Sequence, residues 1–142
     1  MNSLSDNSPE MNSKVAIGQL ELGLKSLHGD GVPQNHATAA FWFQQSAELG
    51  NAEAMRHLAS LYFSGNGVPH SHADAYYWVK KSYEAGDLIA TAVLSEFHGL
   101  GIYVNPDPVG SLSLLEEASF RGHAQSQGLL KDFRSWWEKR KS

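Results

Sequence analysis

The stretch SGNGVPHSHADAYYW, Ser64 to Trp78, has a close copy, HGDGVPQNHATAAFW, from His28 to Trp42. The two copies lie 36 residues apart, and the same interval recurs along the chain. Gly29 and Gly31 return as Gly65 and Gly67, Val32-Pro33 as Val68-Pro69, and Trp42 as Trp78. Gly50, Gly86 and Gly122 are equally spaced. A fixed period of this size marks stacked supersecondary units.

The chemistry within one period says what the unit is. Segments of about a dozen residues between the glycines space their apolar positions as a helix does. Ala52, Leu58, Ala59 and Tyr62 mark one helix; Ala75, Trp78 and Ser82 mark the next. The GxGVP run ends the first helix, because glycine accepts a positive φ and proline cannot continue a helix. Asn35, Ser71 and Asp107 share one phase and are three different residues with one ability, to cap a helix N-terminus. Asp74 stands three positions after Ser71, as in a capping box. Gly50, Gly86 and Gly122 suit the left-handed end of the second helix, and Asn51 and Asp87 then cap the next. Each unit reads helix, turn, helix, glycine. No strand pattern competes, since short alternations such as Ile102 to Val104 fall in a loop.

These residues resemble the Sel1-like repeat family, which is related to tetratricopeptide repeats. The first unit, Ala16 to Gly50, and the second, Ala52 to Gly86, follow that pattern closely. The third, Leu88 to Gly122, departs from it: Leu114 replaces tryptophan, Ser111 replaces alanine, and HGLGIYVNPDP brings its first glycine two positions early. That spacing predicts a shorter first helix and a longer turn. The resemblance implies an all-α fold, a right-handed α-solenoid of about three and a half helix-turn-helix repeats. The expected organisation is a flexible N-terminal segment over 1–14, repeats at 15–50, 51–86 and 87–122, and a C-terminal capping helix at 123–140. Trp42 and Trp78 are expected to face the partner helix of their own unit, with Gly23, Ala39, Ala59 and Ala75 small for close approach. Phe133, Trp136 and Trp137 are expected to shield the last interface.

Composition bounds the function. The chain has 142 residues, a formal net charge of −4 and no cysteine. A modest negative charge argues against nucleic acid. The absence of cysteine removes disulfides and thiolate chemistry. The N-terminal MNSLSDNSPEMNSK lacks the basic start and apolar run of a secretory signal. No apolar run approaches the ~20 residues needed to span a bilayer. The expectation is a cytoplasmic protein with no membrane insertion and no nucleic-acid partner.

No catalytic constellation stands out. His70 and His72 form an HSH motif, but a metal centre needs three or four converging ligands. Glu116 and Glu117 are adjacent on a helix and so diverge. The glycine turns are not followed by the GxxxxGK[ST] of a phosphate loop. No enzyme, metal or cofactor is therefore expected.

In related repeats the first helices line a concave groove. Carried onto this chain, the groove positions are Glu53, Arg56, Ser60, Phe63 and Ser64 in the second unit, Ile89, Ala92 and Glu96 in the third, and Gln125, Asp132 and Trp136 in the terminal helix. The first unit supplies Ile17, Leu20, Leu24 and Leu27, an apolar stripe unlike a solvent-facing helix. Three readings of the stripe stand: residues 1–14 fold over it through Leu4 or Met11, two chains dimerise through it, or a partner covers it. The resemblance implies a protein-interaction adaptor that binds a peptide or helix, mostly in bacterial signalling or complex assembly. A dedicated inhibitor of immunity type and a small-ligand or nucleotide sensor are the alternatives.

Overall fold

A computed structural model describes residues 8–141, apart from the side chains of Phe133, Trp137 and Lys141. Among the described residues there are seven helices and no strand. They are α1 (Pro9–His28), α2 (His36–Glu48), α3 (Ala52–Ser64), α4 (His72–Glu84), α5 (Leu88–Leu100), α6 (Pro108–Phe120) and α7 (Ala124–Lys141). Three helical hairpins result, α1 with α2, α3 with α4 and α5 with α6; α2 also packs on α3, and α6 on α7. The chain divides into two compact units, one ending at Ala85 and one beginning at Gly86. The first holds α1–α4 and the second α5–α7.

The helix boundaries follow from local chemistry. Asn35, Ser71 and Asp107 each accept a hydrogen bond from the backbone N–H three residues on, at 3.0, 3.1 and 2.9 Å. Asn51 and Asp87 do the same for Ala54 and Ala90, both at 2.8 Å. Each such cap contributes about 0.5–2 kcal/mol. The backbone closes each hairpin at the same phase. The Asn35, Ser71 and Asp107 N–H groups donate to the carbonyls of Ser26, Tyr62 and His98. Gly29, Gly65 and Gly101 end the first helices with φ of 70, 75 and 70°.

That third glycine corrects the expected short helix. α5 has the same 13 residues as α3, and Gly101 is its cap, 36 residues after Gly65. Gly99 lies inside the helix, where an added Cβ would come 2.8 Å from the Ser111 hydroxyl. The turn is of standard length, but its second left-handed position holds Tyr103, at φ 65°, where the earlier repeats have Gly31 and Gly67. The early glycine drew attention from the in-phase one.

The expected flexible segment over 1–14 is also corrected in part. Ser8 accepts a hydrogen bond from the Met11 N–H at 3.3 Å, Pro9 takes the first helical position, and α1 includes residues 9–14. Proline fits there because that N–H has no helical partner. Residues 1–7, with Leu4, lie outside the described residues.

In the first unit the core comprises Leu20, Phe43, Met55, Leu58 and Leu61 with alanines 39, 40, 47 and 54. Its fully buried ring is Phe43, not Trp42. Trp42 is half-buried at the edge of the α1–α2 pair beside Lys25, Val32 and Pro33, and Trp78 packs half-buried against the core. Truncation to alanine is therefore expected to cost about 3–5 kcal/mol at Phe43 rather than at Trp42. Phe41 and Tyr77, each edge-on to the neighbouring tryptophan, are 55% and 50% exposed.

Two polar contacts tie paired helices together. Ser46 Oγ donates to the Ala16 carbonyl at 2.6 Å, and Ser82 Oγ donates to the Ala52 carbonyl at 2.7 Å. The third repeat carries Ala118 at that phase; there Arg121 donates to a different carbonyl, that of Gly86, at 2.6 Å, two residues before the in-phase Leu88. In place of the expected alanine contact, Ser95 Oγ donates to the Ser111 carbonyl at 2.8 Å.

A methyl group on Gly23 would lie 2.6 Å from the Phe43 ring. Gly23→Ala is expected to lower stability by about 1–3 kcal/mol through overpacking, against the helix preference for alanine. Urea unfolding checks this, and a variant as stable as the parent would contradict it. Tyr103→Gly is expected to raise stability by about 0.5 kcal/mol, because a left-handed non-glycine residue costs about 1–2 kcal/mol and glycine returns part of that in chain entropy. A lower unfolding midpoint would contradict it.

Candidate functional site

On α3, Glu53, Arg56, Ser60 and Phe63 follow one another at intervals of three, four and three, which places them on one face. Glu53 and Ser60 are exposed, Arg56 is half-buried, and the Phe63 ring is 44% exposed. Phe63 stacks on His72 at 5.3 Å between ring centroids, and His72 meets His70 edge-on at 4.6 Å. The HSH motif is thus part of an aromatic cluster at the α3–α4 turn. Among the described residues no group of three or more His, Cys, Asp or Glu side chains could hold a metal ion.

The apolar stripe of α1 is not an open face. Leu20 is buried in the core, and Leu24 and Leu27 pack against that core. Ile17 is its exposed member, at 48%. The stripe appeared unpartnered in the sequence because the α1 positions were matched to a groove-facing helix. In the structure they join a cluster with Phe43, Met55 and Leu58. Of the four stripe residues, Leu20 is thus buried, Leu24 and Leu27 are half-buried, and Ile17 is exposed.

In the second unit Ile89, Glu96 and Asp132 are exposed, on α5 and α7. Glu96 borders a cleft of about 450 Å3 whose lining includes Ala92, Gly99, Leu100, Leu115 and His123. His123 Nδ1 accepts from the Ser126 N–H at 3.2 Å and lies 2.7 Å from the Ser126 hydroxyl. It serves as a cap at the phase of Asn51 and Asp87, a role the sequence reading missed because histidine is an uncommon cap. The Arg140 guanidinium lies over the Trp136 ring at 4.3 Å, and Trp136 is 46% exposed.

Sequence reasoning also missed three exposed apolar residues. Leu100, Val109 and Phe120 are 73%, 80% and 94% exposed. The two earlier repeats hold His28 and Ser64, Ala37 and Ala73, and Glu48 and Glu84 at those phases. Comparing repeats position by position would have found them.

His57 supports the α3 face from beneath. Its ring stacks on Phe43 at 5.0 Å, and its Nε2 lies 3.4 Å from a Glu53 oxygen. Burial and then the Arg56 charge hold its pKa below the ordinary 6.5, although Glu53 pulls the other way. The folded state therefore resists a proton that the unfolded chain accepts near pH 6.5. Stability from this group is present above that pH and falls as the pH drops below it. Urea midpoints measured between pH 7.5 and 5.5 should decline, and His57→Gln should flatten part of that decline. An unchanged slope in the variant would contradict the assignment.

The Sel1 repeat family profile matches residues 16–51, 52–87 and 89–123. A Sel1 repeat protein from Oxalobacter formigenes is similar in structure, with 28% identity over 87% of this chain and 95% of that one and a TM-score of 0.76. A protective antigen of uropathogenic Escherichia coli displaying an SLR fold shares 30% identity over 81% of this chain but 25% of its own, with a TM-score of 0.76. Cysteine rich protein B of Helicobacter pylori, at 18% identity over 88% of this chain and 98% of that one, has a TM-score of 0.68 and shows likeness of fold alone. No curated protein gives a significant match to the sequence. Sel1 repeat proteins generally mediate protein–protein interactions, and no catalytic family is indicated. With three matched repeats and an all-α fold of paired helices, the chain belongs to the Sel1 repeat family.

Proposed function

We propose that this protein is a non-enzymatic adaptor that binds a peptide or helix of another protein through the first helices of its repeats. The observation that carries this reading is the α3 face. There the exposed Phe63 ring provides an apolar anchor on the same side as Glu53, Arg56 and Ser60. Aromatic and arginine side chains of this kind dominate binding energy at protein interfaces. Charges beside them set orientation more than affinity. Stacking on His72 limits the Phe63 ring before any partner arrives, so less rotamer freedom is lost on binding. Ile17 on α1, and Ile89, Glu96 and Asp132 on α5 and α7, are the further contact positions of this reading.

No described helix is long and apolar enough to cross a membrane. In this reading the protein serves bacterial signalling or complex assembly in the cytoplasm; the bacterial origin of the similar structures supports the bacterial setting.

Affinity capture from the native lysate tests the reading. Phe63→Ser and Arg56→Glu are both expected to lose the protein that the parent captures, by about tenfold or more for a residue that anchors an interface. Circular dichroism should show unchanged helix content. Equal capture by both variants would contradict the α3 face as the binding surface.

A further inference from the structure

The two units differ at the positions that would meet a partner, and the difference has a chemical sense. On α3 the phases of interest hold Arg56, Ser60 and Phe63; on α5 they hold Ala92, Glu96 and Gly99. On α1 the first and last of these phases are Leu20 and Leu27. The third repeat has thus exchanged two large side chains for two of the smallest, on either side of a carboxylate. Positions 92, 96 and 99 lie on one helix face. The space left behind is the cleft of about 450 Å3, within the ~300–1,000 Å3 range of ligand sites. Its walls are apolar at Leu100, Leu115 and Leu129. Among the described residues no lysine or arginine lines it. Glu96 is its one carboxylate, exposed and without a hydrogen bond or ion pair among the described residues. On the same lining His123 uses Nδ1 as the acceptor for the cap of α7, which leaves Nε2 to carry a proton and donate.

We propose that this cleft receives an arginine side chain from a segment of the partner protein, its aliphatic stem against the leucines and its guanidinium on Glu96, with His123 Nε2–H facing a segment carbonyl. The partner thereby supplies from outside what Arg56 and Phe63 supply within the second repeat. Arginine fits better than lysine because its planar fork can meet a carboxylate with two parallel hydrogen bonds and its stem accepts apolar contact. An acidic segment would place a second carboxylate beside Glu96. This inference rests on the adaptor reading and gives it a partner chemistry.

The test uses the full chain and a fluorescent, doubly capped peptide, Ala-Leu-Arg-Leu-Ala, followed by anisotropy. Companion peptides carry citrulline, the neutral near-isostere, or glutamate at the centre. The arginine peptide is expected to bind about fivefold more tightly than the citrulline peptide, as a half-exposed charge pair allows, and the glutamate peptide more weakly than either. Glu96→Gln should erase the preference. Ala92→Arg, which restores the residue of the second repeat one turn before Glu96, should block binding while the unfolding midpoint is kept. No binding, equal affinity for arginine and citrulline peptides, or an unchanged preference in Glu96→Gln would overturn the proposal. So would free arginine amide binding as tightly as the peptide, since the cleft would then be a small-molecule site. Such a result combined with loss of captured protein in Phe63→Ser would remove the arginine assignment and leave the adaptor reading standing.

Discussion

The Phe43 ring rests on the bare backbone of Gly23, and the first hairpin is shaped by that contact. A side chain on Gly23 would force the ring away, so helix spacing here is set by the absence of one carbon. The same phases hold Ala59 and Val79 in the second repeat, and Ser95 and Leu115 in the third. Where the first helix carries a residue larger than glycine, the second carries one smaller than phenylalanine. Dense packing requires such compensation, because protein interiors leave few voids larger than a water molecule. In the third repeat the serine also gains a hydroxyl, which finds the Ser111 carbonyl.

Small-residue contact alone would leave a hairpin free to slide. The closing hydrogen bonds remove that freedom. One backbone bond fixes each turn, from Asn35, Ser71 or Asp107 to a carbonyl nine residues earlier. A side-chain bond fixes the far end, through Ser46, Ser82 or Arg121. In the third repeat the bond is relocated: Arg121 reaches the carbonyl of Gly86, two residues before Leu88, the counterpart of Ala16 and Ala52.

Much of this was legible in the sequence, for a physical reason. Caps and turn glycines act within a few residues, so Asn35, Ser71, Asp107 and the GxG turns could be recognised without knowing what packs on what. The misread features depend on tertiary context. Gly99 looked like a helix end, but a helix end is defined by its distance from the previous cap, and Gly101 keeps that distance. Trp42 looked like the core ring because it repeats, whereas the buried phase belongs to its neighbour, Phe43. The leucines of α1 looked unpartnered because nothing in a one-dimensional pattern says which face the core covers. The start of α1 was written in Ser8-Pro9 and was masked by the polar character of its surroundings. The third repeat carried its difference most plainly. Ala92, Glu96 and Gly99 against Arg56, Ser60 and Phe63 is a comparison available from sequence, but only the structure shows that the smaller residues leave a cleft.

Residue-resolved amide hydrogen exchange tests most directly whether the 36-residue unit is one structural device used three times. Asn35, Ser71 and Asp107 lie outside the helices, yet each N–H is bonded to a carbonyl of the preceding helix. The account predicts that all three exchange slowly, as groups held by native structure do. Exchange of Asp107 at the rate of an open loop, beside protected Asn35 and Ser71, would show that the third repeat is not built as the others are and would contradict the account.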